Sequence, residues 1–283
     1  MSTNIQIIEQ YLQKSITSWY EVISKWRDYE VVLYEGIIYR FPRPGKELDM
    51  ELEKRKLDTI RPYISLEIPQ LSVVDNTFIM YPVLTWKTFD DANRTFTEEA
   101  IATLAWFMKE LHTIPLKQFD FMHAPSEQTA EQKSAFQDWV QSMKEDIHQR
   151  LVNKVPILTI NQLHSYMDEL FFVYTSPRQA FVHTDIQGKN IIYNPKTNKI
   201  TGIIDFTDSR IGWIELDFCH FAFVDDAVLE KIVTLYFGYP NPEYMERIRF
   251  LAKRSVLWEI TNDDVYNTRF EYILDRLQMF GFL

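Results

Sequence analysis

The chain has 283 residues, 46% hydrophobic and 25% charged, with a formal net charge of −10, values that suit a soluble protein of two lobes rather than one globule. The acidity argues against nucleic acid as a partner, because phosphate backbones are bound by clustered Lys and Arg; it agrees with a cationic small molecule, or with charge kept for solubility. The one cysteine, Cys219, excludes an intrachain disulfide and a Cys-based zinc site, and without a bilayer-length apolar run or a secretory signal the expectation is a cytoplasmic protein with no membrane partner.

Along the chain, residues 4–14 predict a short helix, with Ile5, Ile8 and Leu12 on one face. Three strand-like runs follow, SWYEVIS, YEVVLYE and IIYRFP, the last two joined by Glu35-Gly36 as a hairpin turn. Residues 47–60 read as a helix with Met50, Leu52, Leu57 and Ile60 available to face inward. QLSVVD and TFIMYPVL form a further strand pair around Asp75-Asn76. Residues 1–84 are thus expected to form one lobe, a small antiparallel sheet with an inserted helix. Residues 85–283 form the other, mainly α-helical, and the fold class is α+β. In this second part, 97–114 is an amphipathic helix with Thr97 as N-cap and Glu98 and Glu99 in its first turn. Helices also fit 130–152 and 159–174. Two short strands joined by the 194–198 turn come next, and from Leu216 onward the chain reads as helical and aromatic-rich.

Chemistry concentrates in FVHTDIQGKNIIYNPKTNKITGIIDFTDS, residues 181–209. His183, Asp185 and Asn190 fit H-x-D-x-x-x-x-N, and Asp205 ends the next strand fifteen residues after Asn190. Protein kinases use this arrangement for phosphoryl transfer. One Asp accepts or orients the acceptor's hydroxyl, the Asn offers an amide oxygen to Mg²⁺, and the second Asp holds the Mg²⁺ that bridges the nucleotide phosphates. Magnesium takes oxygen ligands and keeps several waters, so a carboxylate and an amide suffice. Taken singly, each residue has a plainer reading: a turn-forming Asp, a structural His, a strand-end carboxylate. The joint spacing favours the chemical one.

VHTDIQGKNIIYN followed by GIIDFTDSRIGWIELDF, with MKELHTIP at 108–115, resembles the aminoglycoside phosphotransferase and choline kinase superfamily. The resemblance implies a two-lobed, protein-kinase-like fold with an N-terminal nucleotide-binding lobe and a C-terminal lobe for catalysis and the acceptor. It implies Asp185 as the catalytic residue, Asn190 and Asp205 as Mg²⁺ ligands, and His183 and Asp217 as supports of the catalytic loop. Arg40 stands where a phosphate-binding Lys is usual, with Glu53 as its partner acid, the alternative being a purely structural ion pair. The loop 24–29 lacks glycine, so Lys25 or Arg27 would have to stand in for a Gly-rich phosphate cradle. Tyr81-Pro82-Val83-Leu84 is expected to be the purine-binding hinge, where Pro82 has no N–H and the base must use carbonyls and neighbouring N–H groups. YRFPRP, SLEIPQL and MYPVLTW are similar to segments of macrolide phosphotransferases, which implies a macrolide acceptor and GTP or ATP as donor. Thr184 in place of the usual Gly, Asn190 in place of His and Trp213-Ile214 in place of Asp-Pro depart from that pattern. For a cationic acceptor, Glu259, Asp263, Asp264 and Tyr266 are the candidates, against the plainer reading of a solvated helix face. An aminoglycoside or metabolite kinase is the rival within the superfamily. A nucleotide-binding scaffold without catalysis is the rival outside it, disfavoured by the intact Asp185, Asn190 and Asp205.

Overall fold

A computed structural model describes residues 3–17, 19–23, 29–45, 48–84, 87–92, 95–122, 130–173 and 179–283. The chain divides into two compact units, Met1–Phe119 with Ile186–Ser209, and Asp120–Asp185 with Arg210–Leu283. Residues 85–119 and 186–209 fall in the same unit as the N-terminal sheet. Lys25 and Arg27 lie outside the described residues.

In chain order the first unit contributes α1 (Thr3–Leu12), β1 (Glu21–Ile23), β2 (Tyr29–Tyr34), β3 (Ile37–Pro42), α2 (Met50–Ile60), β4 (Ser72–Val74), β5 (Phe78–Pro82), β6 (Lys87–Thr88) and α3 (Glu98–His112). The second unit supplies α4 (Ala130–Leu151), α5 (Ile157–Val173) and β7 (Gln179–Val182). The chain returns to the first unit for β8 (Ile191–Asn194) and β9 (Lys199–Ile203). It ends in the second with β10 (Arg210–Trp213), α6 (Asp226–Phe237), α7 (Pro242–Ala252), α8 (Arg254–Thr261), α9 (Asp263–Thr268) and α10 (Phe270–Met279).

The first unit is built on a five-stranded antiparallel sheet in the order β1-β2-β3-β5-β4. Both hairpin turns use left-handed backbone, Glu35-Gly36 at φ 47° and 76° and Asp75-Asn76 at 46° and 53°, the pairing whose twist matches that of the strands. Strand periodicity divides β3 between two faces. Tyr39 and Phe41 join Val32, Tyr34 and Phe78 under Ile5 and Ile8 of α1, whereas Arg40 points the other way, to Glu53 of α2. Helix α2 starts on Asp49, whose carboxylate accepts the Leu52 N–H at 2.8 Å. It buries Met50, Leu57 and Ile60 as expected, but Glu53 and Lys56 share that face and Leu52 is only half-buried. Strand β8 joins β6 and β9 in a second small sheet. The backbone of Glu67 is bonded to Thr201 and Ile203 at 2.9 Å each, and Gly202 lies so close that a Cβ there would meet the Glu67 carbonyl at 2.8 Å.

In the second unit, Ile147 and Leu151 of α4, Leu163 and Met167 of α5, Val256 and Ile260 of α8, and Ile273 and Leu277 of α10 form one core with Val182 and Trp213. Strands β7 and β10 pair antiparallel, Val182 opposite Arg210 and Gln179 opposite Trp213. Beyond β10 the chain is helical as expected, first in 3-10 geometry from Ile214 to Phe223 and then as α-helix from Asp226. Among the described residues no helix is long and apolar enough to cross a membrane. The architecture is α+β: an antiparallel sheet toward the N-terminus and a mainly helical C-terminal part.

Candidate active site

Strand β7 delivers His183, Thr184 and Asp185 to the edge of the second unit's core. The Asp217 side chain, fully buried, accepts the His183 N–H on Oδ2 at 3.1 Å and the Thr184 N–H on Oδ1 at 2.5 Å. Charge-assisted bonds of this kind are among the stronger ones available, and here both grip the backbone of one loop. His183 is itself buried, and its Nδ1 accepts the Asp185 N–H at 3.2 Å. Thr184 takes φ 73°, a left-handed conformation that a β-branched residue adopts only under constraint. Glycine at this position, as in the resembling family, would meet no such cost. The Asp185 carboxylate remains partly exposed and lies 3.0 Å from Nε2 of His220. The sequence had not singled out His220.

In the first unit, a 3-10 turn at Gly188–Asn190 leads into β8. Gly188 lies against the Asp90 side chain, where a Cβ would come within 1.7 Å of Oδ1 and the exposed carboxylate would have to swing away. Asn190 is buried, and its carbonyl accepts the Ile204 N–H at 2.9 Å, which sets the start of β8 beside the residue preceding Asp205. Asp205 has φ 67°, and its charge interacts with Arg40. A carboxylate and a nearby amide residue are an all-oxygen donor set, which fits a hard divalent cation such as Mg²⁺. No cluster of three or more His, Cys, Asp and Glu is gathered for a metal among the described residues, so phosphate oxygens and water would have to complete the coordination.

Arg40 is 2% exposed. One η nitrogen bonds Glu53 Oε1 at 2.8 Å, the other bonds Oγ1 of Thr207 at 2.9 Å, and the guanidinium lies over the Tyr29 ring, 4.0 Å from its centre. Burial disfavours the Arg40 charge, but Glu53, Tyr81, Tyr29 and Asp205 outweigh it and push the pKa up. Burial likewise pushes the Tyr81 phenol up to about 12. The ion pair expected between Arg40 and Glu53 is formed, and it carries a third member, Thr207, two residues beyond Asp205. Lys56, one helical turn beyond Glu53, is buried as well and donates to the carbonyls of Ser209 (2.6 Å) and Thr207 (3.3 Å). Helix α2 therefore holds the segment after Asp205 at both ends. Lys56 and Thr207 were missed in the sequence, where only the apolar positions of α2 and the motif acids carry a signal.

Other expected residues have partners within the protein. The Val83 N–H donates to the Gly36 carbonyl at 2.8 Å, closing the ladder between β5 and β3, so it is not among the N–H groups open to a purine. Glu259 is 7% exposed and turned toward Arg276, 3.6 Å from its Nε; burial raises its pKa although Arg276 opposes this. Asp263 pairs with Arg150 at 2.8 Å. The Tyr266 ring faces Arg150 and Lys154, and its hydroxyl bonds the Arg150 carbonyl. Glu259, Asp263 and Tyr266 thus each have a cationic neighbour within the chain. The Asp264 side chain lies outside the described residues.

Comparison with known proteins follows the same lines. Solved structures of the same fold include an aminoglycoside 2'-phosphotransferase-IIIa with GDP (16% identity, TM-score 0.76, 98% of this chain and 95% of that one). The apoenzyme of macrolide 2'-phosphotransferase MphH from Brachybacterium faecium is similar at 12% identity and TM-score 0.68, over 99% and 98%. The streptomycin–ATP ternary complex of APH(2")-IIa is similar at 18% and 0.63, over 99% and 97%. No curated protein sequence matches significantly. Residues 24–251 match the family described as "Phosphotransferase enzyme family" (APH). Since that match spans most of the chain and includes His183, Asp185, Asn190, Asp205 and Asp217, the protein belongs to the phosphotransferase enzyme family.

Proposed function

We propose that this enzyme is a small-molecule kinase that moves the γ-phosphoryl group of GTP or ATP onto a hydroxyl of an antibiotic-like acceptor, a macrolide in the first instance. The observation that carries the reading is the clasp of Asp217 on the His183 and Thr184 amides, which fixes the backbone that bears Asp185. In this mechanism the bond from the γ-phosphorus to its bridging oxygen breaks, a nucleoside diphosphate leaves, and a new bond forms to the acceptor oxygen. Asp185 orients the acceptor hydroxyl and takes up its proton, which passes on to water. Asn190 and Asp205 would hold Mg²⁺, which neutralises charge on the nucleotide phosphates when bound. Arg40, kept charged by Glu53, adds a fixed positive field beside Asp205, and Tyr81 and Val83 line the purine side through groups other than the Val83 N–H.

YRFPRP and MYPVLTW support a macrolide. An aminoglycoside is the second reading, since solved proteins of this fold include one with streptomycin and ATP. A panel of macrolides, aminoglycosides and primary metabolites, each with ATP and with GTP, tests the proposal. Macrolide phosphorylation with GTP at least as good as ATP supports the first reading. Turnover of an aminoglycoside alone selects the second, and transfer to nothing in the panel favours a scaffold. Asp205→Asn should lose Mg²⁺-dependent nucleotide binding by calorimetry. Asp185→Asn should keep it and lose about 10²–10⁴-fold in kcat.

A further inference from the structure

Asp205 lies between β9 and β10, in a segment that belongs to no strand, and its backbone stands at φ 67°. Aspartate tolerates left-handed backbone better than most residues, but still at a cost, so it keeps that setting only while its neighbours are fixed. On the upstream side the Ile204 N–H donates to the Asn190 carbonyl at 2.9 Å. Downstream, side chains do the fixing. The Phe206 carbonyl accepts the Ser209 N–H at 3.1 Å and its hydroxyl at 2.5 Å, which closes a turn. The Thr207 hydroxyl accepts from Arg40 at 2.9 Å and donates to Oε2 of Glu53 at 3.5 Å. Lys56, itself buried, donates from Nζ to the carbonyls of Ser209 at 2.6 Å and Thr207 at 3.3 Å.

We infer that Lys56 is a positioning residue for the metal: its ammonium fixes the Thr207–Ser209 turn, and so keeps Asp205 in the one backbone setting that presents its carboxylate to Mg²⁺. The inference deepens the proposed function and rests on the metal role given there to Asp205. An ammonium carries three donors and no acceptor, so one side chain serves both carbonyls, and its charge strengthens each bond. A buried charge is costly to hold, and a methionine of similar length would pack on this face of α2 without that cost. What lysine adds is a grip on two carbonyls two residues apart, immediately after Asp205. Groups that orient a metal's direct ligands are felt in metal affinity when they are lost. The competing case is a Lys56 that ties α2 to this segment for stability and does nothing for the metal.

Calorimetry of GTP and ATP binding, each with Mg²⁺ and with EDTA, separates the two cases without reference to turnover. Lys56→Met should weaken binding of the Mg²⁺–nucleotide about 10–100-fold and leave binding in EDTA near wild type. Lys56→Gln, neutral and one bond shorter, should fall between, and it decides the matter if the methionine variant does not fold. Leu57→Ala is the control: it loosens the buried face of α2 without removing a donor to these carbonyls, so it should lower the melting temperature yet keep the wild-type response to Mg²⁺. A wild-type response in the Lys56 variants overturns the inference, as does an equal loss in Leu57→Ala or an equal loss in EDTA. Asp205→Asn, run alongside, tells the inference from the reading beneath it. If that variant loses Mg²⁺-dependent binding and the Lys56 variants do not, the inference alone fails. If it keeps that binding, the metal role of Asp205 fails and the inference with it.

Discussion

Replacing Thr184 by glycine should stabilise the protein. Thr184 sits at φ 73° between two loop residues that Asp217 and His183 hold in place. A left-handed conformation costs an L-residue roughly 1–2 kcal/mol, and a β-branched side chain belongs at the upper end. Glycine removes that cost but gives the unfolded chain more freedom, worth roughly 0.5–1 kcal/mol. The difference leaves a net gain of about 1 kcal/mol, or a rise in Tm of about 2–4 °C for a domain of this size. The Thr184 N–H that reaches Asp217 is kept in the variant, so the loop keeps its anchor. Differential scanning calorimetry on Thr184→Gly, →Asn and →Ala supplies the test. Gly should rank first and Asn next, since Asn tolerates left-handed backbone; Ala should gain nothing because it still carries a Cβ. A Tm for Thr184→Gly at or below that of wild type would refute the reasoning, and would mean that threonine's own contacts outweigh the backbone cost.

The Arg40–Glu53 pair should behave as a buried ion pair. Arg40→Ala strands the Glu53 carboxylate and should cost about 3–5 kcal/mol in chemical denaturation, contrary to the stable variant that a solvent-facing phosphate clamp would give, and Arg40→Lys should recover part of it. Lys56→Met leaves the Thr207 and Ser209 carbonyls without their charged donor and should cost about 2–3 kcal/mol, read in the same assay; a neutral effect would mean that α2 does not hold this segment. Gly202→Ala should destabilise, because the new Cβ would meet a backbone carbonyl at 2.8 Å that only a shift of the Glu67 backbone can relieve; an unchanged Tm would contradict that. Burial lowers the pKa of His164, although its bond to the Lys144 carbonyl opposes this. The unfolded chain therefore takes up the proton first, so stability is whole above pH ~6.5 and falls as pH drops through the folded value. His164→Gln should flatten that acid limb in a pH series of melts.

The parts of the fold that could be read from sequence are those fixed by local chemistry. Glu35-Gly36 and Asp75-Asn76 announce two hairpins because few residues tolerate left-handed turns, and Thr97 announces a helix start because its hydroxyl serves the Ala100 amide. The family itself was legible by motif spacing, and the family match spans residues 24–251. Strands β6 and β10 were not, being two and four residues long and defined by their partners more than by any pattern of their own. Thr207 and Lys56 were hidden for a related reason: their contacts join residues 167 and 151–153 positions apart. Acid and aromatic side chains at 259–266 read as a receptor for a cation, and nothing in the sequence showed that Asp263 and Tyr266 also meet Arg150, 113 and 116 positions away.

The double crossing of the chain between its two units has a consequence for biosynthesis. Residues 186–209 complete the first unit, yet they are made only after the 66 residues Asp120–Asp185 of the second. A nascent chain that has emerged as far as Phe119 has its five-stranded sheet but lacks β8 and β9, so the backbone of Glu67 and the edge of β6 have nothing to pair with. Domains commonly fold in the order they leave the ribosome; here the first to begin must wait, half-finished, while most of α4, α5 and β7 passes by. During that interval an unpaired strand edge is open to any passing chain, which makes this the stage of synthesis at which a chaperone would matter most. The same threading means that no single cut yields two self-sufficient pieces, and split fragments of this enzyme would have to fold around each other to fold at all.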